Sequence, residues 1–221
     1  YDLRGHGDSE GRSAQVDSFG QFIDDLAELI EYIKDEFRAE KYSLFGHSMG
    51  ALIVAAFMQE KGGEYSPCRV LINAPPVAYP GALGKIVGLL SPSFVERLSK
   101  FKKGVYLKGL VDLDGLSHDV CIAKKYVEDP KNKLELNTKL LFGMIDSSKR
   151  TFSRPINPSV PMYCSIGSMD SVVDPNAAIS YFGGVETKVR LKVIEGAYHE
   201  IHNEVSKYQL PYFDYIKSCL L

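Results

Sequence analysis

The sequence lacks the features that would place it among membrane-spanning, nucleic-acid-binding or disulfide-rich proteins. No apolar run approaches the roughly 18 residues that a transmembrane helix needs. The formal net charge of −2 gives no electrostatic reason to expect a nucleic acid partner. The four cysteines are widely spaced, form no C-x-x-C pair and follow no signal peptide. We therefore expect reduced thiols and a cytoplasmic location.

What the sequence contains is an alternation of strand-like and helix-like segments. Residues 17–39 carry apolar side chains at the i, i+3, i+4, i+7 spacing of an amphipathic helix, with Asp17 or Ser18 as the expected cap. Residues 42–46 predict a short buried strand. The helix predicted after it ends on two glycines, residues 62–63, where a left-handed cap conformation would favour glycine.

The second half of the chain repeats this alternation after an interruption. Further strands and helices are predicted at 68–76, 160–167, 176–184, 188–196 and 203–221. Alternating strands and helices predict an α/β protein, a mostly parallel sheet with helices on both faces. Residues 77–158 show little strand pattern and are broken by prolines. We therefore predict one domain, with a core of residues 1–76 and 159–221 and a helical cap insertion over about 77–158.

A G-x-S-x-G motif joins the first predicted strand to the helix that follows it. Ser48 lies between Gly46 and Gly50, in the sequence GHSMG. In a tight strand-to-helix turn the serine has strained dihedral angles, and side chains two residues away on either side would collide. Such a turn presents the hydroxyl where the backbone N–H of Met49 and the helix dipole can face a developing oxyanion. The alternative is that both glycines only allow close helix–strand packing.

A nucleophilic serine needs a base, and the base needs a carboxylate that orients it. Asp170 directly follows the predicted strand at 160–167, and His199 follows the last predicted strand. The order Ser, Asp, His is typical of one hydrolase fold. Asp174 and His202 lie in the same loops and stay open as alternatives.

The other histidines are predicted to support the site rather than to act in it. His47, inside the motif, is expected to pack beneath the helix, and His6 is expected to stabilise a nearby loop. His199 and His202, with neighbouring glutamates, lack the spacing of an H-E-x-x-H zinc site, and no third ligand follows. We predict no metal and no cofactor.

In combination, four blocks of the sequence resemble the monoacylglycerol lipase and lysophospholipase group of α/β-hydrolases. They are YDLRGHGDSEGR, GHSMGALIV, GSMDSVVDP and EGAYHEIHNE, and a weaker block is LSHDVCIAKKYVEDP. The resemblance implies the α/β-hydrolase fold, with Ser48 as nucleophile, Asp170 as acid and His199 as base. It also implies that the N–H of Met49 is one of two oxyanion donors.

The resemblance carries two further expectations, one about the second oxyanion donor and one about the cap. The family has an early His-Gly motif whose backbone supplies the second oxyanion donor, and we expect this motif to be absent from the sequence, which begins at Tyr1. We therefore expect that donor and the first strands of the sheet to be missing, which would leave the strand at 42–46 as an exposed edge. The apolar run at 81–90 is expected to form either a tunnel wall or a lid that touches a membrane surface transiently.

These expectations define a cofactor-free serine hydrolase that cleaves monoacylglycerol or lysophospholipid-type esters to a free fatty acid. Two alternatives keep the same three residues, namely a short-chain carboxylesterase and an aminopeptidase-like hydrolase. A third is a catalytically impaired binding protein or fragment of the same fold. With the cytoplasmic location expected from the cysteines, transient contact through the cap would make the protein peripheral to membranes.

Overall fold

The computed structural model describes residues 1–100, 104–110, 112–132 and 134–220, apart from the side chain of residue 92. The helices are α1 (Gly20–Phe37), α2 (Met49–Lys61), α3 (Gly81–Leu89), α4 (Pro92–Ser99), α5 (Val120–Glu128), α6 (Thr138–Thr151), α7 (Pro175–Ser180) and α8 (Ser206–Leu220). The strands are β1 (Ser43–His47), β2 (Arg69–Asn73), β3 (Tyr106–Lys108), β4 (Glu135–Asn137), β5 (Met162–Gly167) and β6 (Arg190–Ile194).

The main sheet has four strands in the order β1-β2-β5-β6, and every pairing in it is parallel. The prediction of a parallel sheet is confirmed. The register pairs Gly46 with Ile72, Ile72 with Cys164, and Ile166 with Val193. Because parallel strands end at the same edge of the sheet, the loops after β1, β5 and β6 meet there.

Helix α2 forms the centre of the core, and helix α1 covers it with one apolar face. All eight side chains from Ala51 to Met58 are buried, as expected for a helix with apolar residues on every side. On α1 the buried side chains include Phe22, Leu26 and Ile30, which share one face. Each such side chain contributes roughly 1.5–3 kcal/mol when it is fully buried.

The helix ends differ from those predicted. Helix α1 begins at Gly20, and its N-cap residue is Phe19, which makes no side-chain cap hydrogen bond, so the predicted cap at Asp17 or Ser18 is wrong. Ser18 Oγ instead accepts from Gly20 N–H at 3.2 Å, and Asp17 forms an ion pair with Lys139. Helix α2 ends before Gly62, which has a φ of −61°, so the predicted left-handed cap is wrong. Hydrogen bonding from Gly62 N–H to Met58 O extends the last turn without that conformation.

The segment between β2 and β5 contains helices α3 to α6 and a small antiparallel sheet. Strands β3 and β4 pair through Leu107 and Leu136, a feature that the sequence did not predict. Helix α6 packs on α4 and α2, with Leu140 and Ile145 buried between them. This predicted cap insertion, residues 77–158, includes positions outside the described ranges, and its boundaries stay a prediction.

Within the ranges given above, no helix combines the length and the apolar character needed to cross a membrane.

Candidate active site

Ser48 occupies the turn between β1 and α2 in a conformation that L-amino acids rarely adopt. Its φ is 53° and its ψ is −117°. Its N–H donates to Asn73 O at 2.9 Å, and its carbonyl accepts from Leu52 N–H at 3.1 Å. Backbone in such a region costs about 1–3 kcal/mol and persists only where its surroundings hold it. The strand pairing on one side and the first helical turn on the other hold Ser48 in this turn.

The two glycines of the motif are not equivalent. A Cβ on Gly46 would lie 2.4 Å from the carbonyl oxygen of Gly50, which is backbone and cannot move aside. A Cβ on Gly50 would meet, within 4 Å, no atom of the described chain beyond its chain neighbours and the backbone of its own helix. The expectation that side chains would collide at both positions is therefore wrong for Gly50. The close approach of strand and helix requires glycine only on the strand side.

His199 lies between Ser48 and Asp170 and bonds to both. Its Nε2 is 3.0 Å from Ser48 Oγ, and its Nδ1 is 2.7 Å from Asp170 Oδ2. The side chains of His199 and Asp170 are 3% and 0% exposed, so the hydrogen bond between them is shielded from water. A carboxylate can only accept, so Nδ1 carries the proton towards Asp170 and Nε2 can accept from the serine hydroxyl.

The alternative carboxylate and the alternative histidine have different partners. Asp174 Oδ1 accepts from the N–H groups of Asn176 and Ala177 at 2.9 and 3.3 Å, which caps helix α7. His202 lies in a short 3₁₀ turn, and its Nδ1 is buried with no hydrogen-bond partner among the described residues. Of the two candidate carboxylates and the two candidate histidines, the structure places Asp170 and His199 in hydrogen-bond contact with each other, and His199 in contact with Ser48.

His47 lies beside His199 in a second polar network. Its ring centre is 4.8 Å from that of His199 and 4.9 Å from that of His202. Ser165 Oγ donates to Asn73 Oδ1 at 3.0 Å, so the Asn73 amide donates to His47 Nδ1 at 3.0 Å. Burial, with His199 and His202 nearby, lowers the pKa of His47 well below its usual range. His47 is thus a neutral neighbour of His199.

His6 and Met49 lie at the border of the same site. His6 Nδ1 is 3.1 Å from Arg4 O, inside the N-terminal loop, and its ring faces the cavity described below. Met49 is the first residue of α2, in the turn whose N–H groups have no carbonyl partner within the helix. An anion in front of Ser48 would meet these N–H groups and the positive end of the helix dipole.

A cavity of about 1330 Å³ opens over Ser48 and His199. Its walls are largely apolar and come from α1, β1 and the insertion. The apolar lining includes Leu29, Ile33, Phe45, Leu107, Leu110, Leu113, Leu116, Leu136 and Met144. Polar side chains lie at its border, among them Tyr126, Asp129, Asn132 and Glu200. The cavity is larger than the 300–1,000 Å³ typical of a small-molecule site, in part because it extends along the unpaired edge of β1, where Phe45 lies.

The site residues do not form a metal centre in the part of the chain that the structure describes. Three imidazoles, those of His47, His199 and His202, are close together. Even so, no group of three or more His, Cys, Asp or Glu side chains has the placement needed to hold an ion there.

Sequence reasoning did not single out two residues that hold the histidine loop. Glu204 accepts from the N–H of Tyr198, and His118 bonds to the same carboxylate. A carboxylate that binds backbone N–H groups leaves no pattern in a single sequence. Only the short distance from His199 to Glu204 along the chain could have drawn attention to it.

Comparison with known proteins gives a family and several relatives. The model of a hydrolase family described as serine aminopeptidase, S33, matches residues 1–206. The monoacylglycerol lipase of Mycolicibacterium smegmatis is 27% identical over 212 residues, covering 92% of this chain and 71% of the relative. The human monoglyceride lipase is 25% identical over 215 residues, covering 93% of this chain and 66% of the relative. The chain thus spans about two thirds of the length of these relatives.

Two solved structures have the same fold as this chain. The monoacylglycerol lipase of Paleococcus ferrophilus superposes with a TM-score of 0.79 at 24% identity, covering 98% of this chain and 80% of that one. A soluble variant of the Saccharomyces cerevisiae monoglyceride lipase, in complex with a substrate analogue, also gives 0.79, at 20% identity, covering 98% of this chain and 74% of that one. The expected α/β-hydrolase fold is confirmed.

Proposed function

The chain belongs to the serine aminopeptidase S33 family of hydrolases, and on that premise we propose that it is a serine ester hydrolase. Its substrates are monoacylglycerol or lysophospholipid-type esters, and its product is a free fatty acid. The observation that carries the proposal is His199, which bonds to Ser48 and Asp170 beneath a large apolar cavity. The relatives named monoacylglycerol lipase support the same substrate class.

The first half of the reaction transfers the acyl group to Ser48. Ser48 Oγ attacks the ester carbonyl carbon while His199 Nε2 takes the hydroxyl proton. Asp170 stabilises the imidazolium, and the N–H of Met49 faces the oxyanion. The carbon–oxygen bond to the glycerol part then breaks, and His199 returns its proton to the departing alkoxide.

The second half releases the fatty acid. Water attacks the acyl-enzyme carbonyl and gives its proton to His199 Nε2, which passes it to Ser48 Oγ as the acyl–oxygen bond breaks. No redox partner or cofactor enters these steps. The apolar cavity wall would hold the acyl chain and limit the access of bulk water to the intermediate.

An aminopeptidase-like reaction is the second candidate, favoured by the description of the family. Glu200 follows His199 directly and borders the cavity, where its carboxylate could pair with a substrate ammonium group. A short-chain carboxylesterase would use the same three residues without needing so long a cavity. Both reactions require Ser48, so they differ from the leading proposal only in the substrate.

We extend the proposal to the place where the protein acts, the cytoplasmic face of a membrane. Helix α3 exposes Ile86 and Leu89, which are 58% and 88% exposed. Lys85 stands next to them, and the helix has no acidic residue. Apolar and basic side chains on one short helix suit transient contact with a lipid surface. Sedimentation with phospholipid vesicles should be weakened in Leu89→Asp, and equal sedimentation of both proteins would contradict this extension.

A substrate panel tests the proposed function. Monoacylglycerols with acyl chains of 4 to 18 carbons, a lysophospholipid and an aminoacyl anilide are each incubated with the wild type and with Ser48→Ala. We expect kcat/KM to rise with acyl length, and Ser48→Ala to be inactive on every ester. Preference for the shortest chains would favour the carboxylesterase, hydrolysis of the anilide alone would favour the peptidase, and esterase activity retained in Ser48→Ala would refute the proposal.

A further inference from the structure

The carboxylate of Glu204 is a buried anchor outside the catalytic residues. Its side chain is 0% exposed. Oε1 accepts from Tyr198 N–H and from His118 Nδ1, each at 2.8 Å. Oε2 accepts from the N–H groups of His118 and Val205, each at 3.1 Å. Burial alone would raise the pKa of Glu204, but these hydrogen bonds hold it below its usual value. The group is an ionised acceptor with several donors.

His118 reaches this anchor from the insertion. Its ring stacks on Tyr198 with centres 3.8 Å apart and planes 25° apart, and it also faces Tyr208 at 5.0 Å and 30°. Ser117, the preceding residue, donates its hydroxyl to Asn203 O at 2.8 Å. The insertion is therefore attached to the loop after β6 by ring stacking and by hydrogen bonds.

The attachment holds the backbone on both sides of His199. Tyr198 N–H, on the preceding residue, bonds to Glu204, and Glu200 N–H, on the following residue, bonds to Leu116 O at 2.8 Å. Leu116 and His118 belong to one short segment before α5. A movement of that segment would therefore weaken the hydrogen bonds that hold Tyr198 and Glu200, the residues on either side of His199.

We infer that His118 is a positioning residue, which acts through Glu204 to keep the His199 imidazole in register with Ser48. The inference rests on the proposed function, because it takes His199 to be the base. Catalytic groups must be held within about 0.5 Å of their working geometry. A displacement of about 1 Å can cost about a hundredfold in rate. His118 acts on the turnover rate rather than on substrate affinity, because it does not line the cavity.

Three substitutions separate the two contacts of the His118 ring, and a fourth, at another residue, is the control. His118→Phe keeps the stacking but removes the Nδ1 donor, and His118→Asn restores an amide donor at nearly the same position. His118→Gln carries the same amide one methylene further out. Val120→Ala is the control, since that side chain is two residues away and 84% exposed.

The expected kinetic result is a fall in kcat of about 10- to 100-fold in His118→Phe with KM changed less than twofold. The dependence of kcat/KM on pH should also differ between His118→Phe and the wild type, because the substitution changes how Asp170 holds the His199 ring. His118→Asn should recover most of the loss, and Val120→Ala should match the wild type. Wild-type kcat and pH profile in a folded His118→Phe would overturn the inference.

A second readout does not depend on turnover. The Nδ1 proton of His199, held by Asp170, should give a low-field proton resonance in the wild type that shifts or broadens in His118→Phe and returns in His118→Asn. If the wild type cleaves no ester yet the resonance responds in this way, the proposed function fails and the positioning role stands. If His118→Phe does not fold, His118→Asn and His118→Gln are compared. A lower kcat in His118→Gln than in His118→Asn supports the inference, and equal kcat values in the two variants overturn it.

Discussion

At the scale of single residues, the two oxygens of Asp170 have different partners. Oδ1 accepts from the N–H groups of Val172 and Val173 at 2.8 and 3.0 Å, which fixes the carboxylate and leaves Oδ2 for His199. Asp174, four residues on, accepts through its Oδ1 from N–H groups at the start of helix α7. The two aspartates therefore give a matched pair of substitutions.

We expect Asp170→Asn to lower kcat by about 10⁴-fold with little change in folding, because the amide can favour the wrong tautomer of His199. Asp174→Ala should keep kcat within about twofold and cost about 1 kcal/mol of unfolding free energy through the lost helix cap. Steady-state ester hydrolysis and urea unfolding measure both. Near-wild-type activity in Asp170→Asn, or loss of activity in Asp174→Ala, would reverse the assignment.

His47 should make the stability of the protein depend on pH. Its pKa in the folded protein lies well below the usual 6.5, so between those two values the unfolded chain binds more protons. Stability is therefore full above about pH 6.5 and falls as the pH drops towards the folded value, by at most about 1.4 kcal/mol per pH unit for this group. The slope of Tm between pH 8 and pH 5 should be shallower in His47→Gln. An unchanged slope would mean that His47 is already charged in the folded state.

The G-x-S-x-G motif identified Ser48, and the chain order typical of one fold identified Asp170 and His199 as candidates. Asp174 and His202, in the same loops, stayed open as alternatives. Their catalytic roles stay a prediction until activity is measured. Glu204 and His118 could not be predicted. Their role comes from hydrogen bonds to backbone N–H groups and from ring stacking between distant segments, and neither imposes a spacing on the sequence.

At the scale of elements, the turn between β1 and α2 sets the position of Ser48. Gly46→Ala should destabilise the fold by about 1–3 kcal/mol or more, because its Cβ would overlap the backbone of Gly50. Gly50→Ala should be neutral or stabilising by up to about 1 kcal/mol, because alanine favours the helix and its Cβ meets open space. Chemical denaturation of both variants checks this pair. Equal destabilisation would show that the serine turn needs both glycines.

Helices with a clear hydrophobic period and strands of five or six mostly apolar residues were predicted from the sequence, whereas strands of three residues were not. The stripe of α1 and the apolar runs of β2 and β5 each specify one state. Strands β3 and β4 have three residues each, too few to show alternation, and their pairing depends on contacts within the insertion. The cap at Gly62 also failed, since glycine permits a left-handed conformation but does not require it.

At the scale of the whole molecule, the sheet has an exposed apolar edge. Strand β1 pairs only with β2 in the described part of the chain, and Phe45 on it is 53% exposed. Unpaired edges of this kind promote association between chains, and a lysine on the edge opposes it. Phe45→Lys should reduce concentration-dependent light scattering of this chain. Phe37→Lys, at a position 69% exposed at the end of α1, is the control and should change scattering little. An equal decrease in light scattering in both variants would show that association depends on exposed apolar surface in general and not on the edge of β1.

The most direct test of the central claim, that Ser48 is a nucleophile activated by His199, is labelling with a fluorophosphonate followed by mass spectrometric mapping of the modified peptide. The account predicts one label on Ser48 in the wild type, none in Ser48→Ala, and labelling slowed by about a thousandfold or more in His199→Ala. No label on a folded wild-type chain, or labelling of another residue with Ser48 untouched, would contradict it.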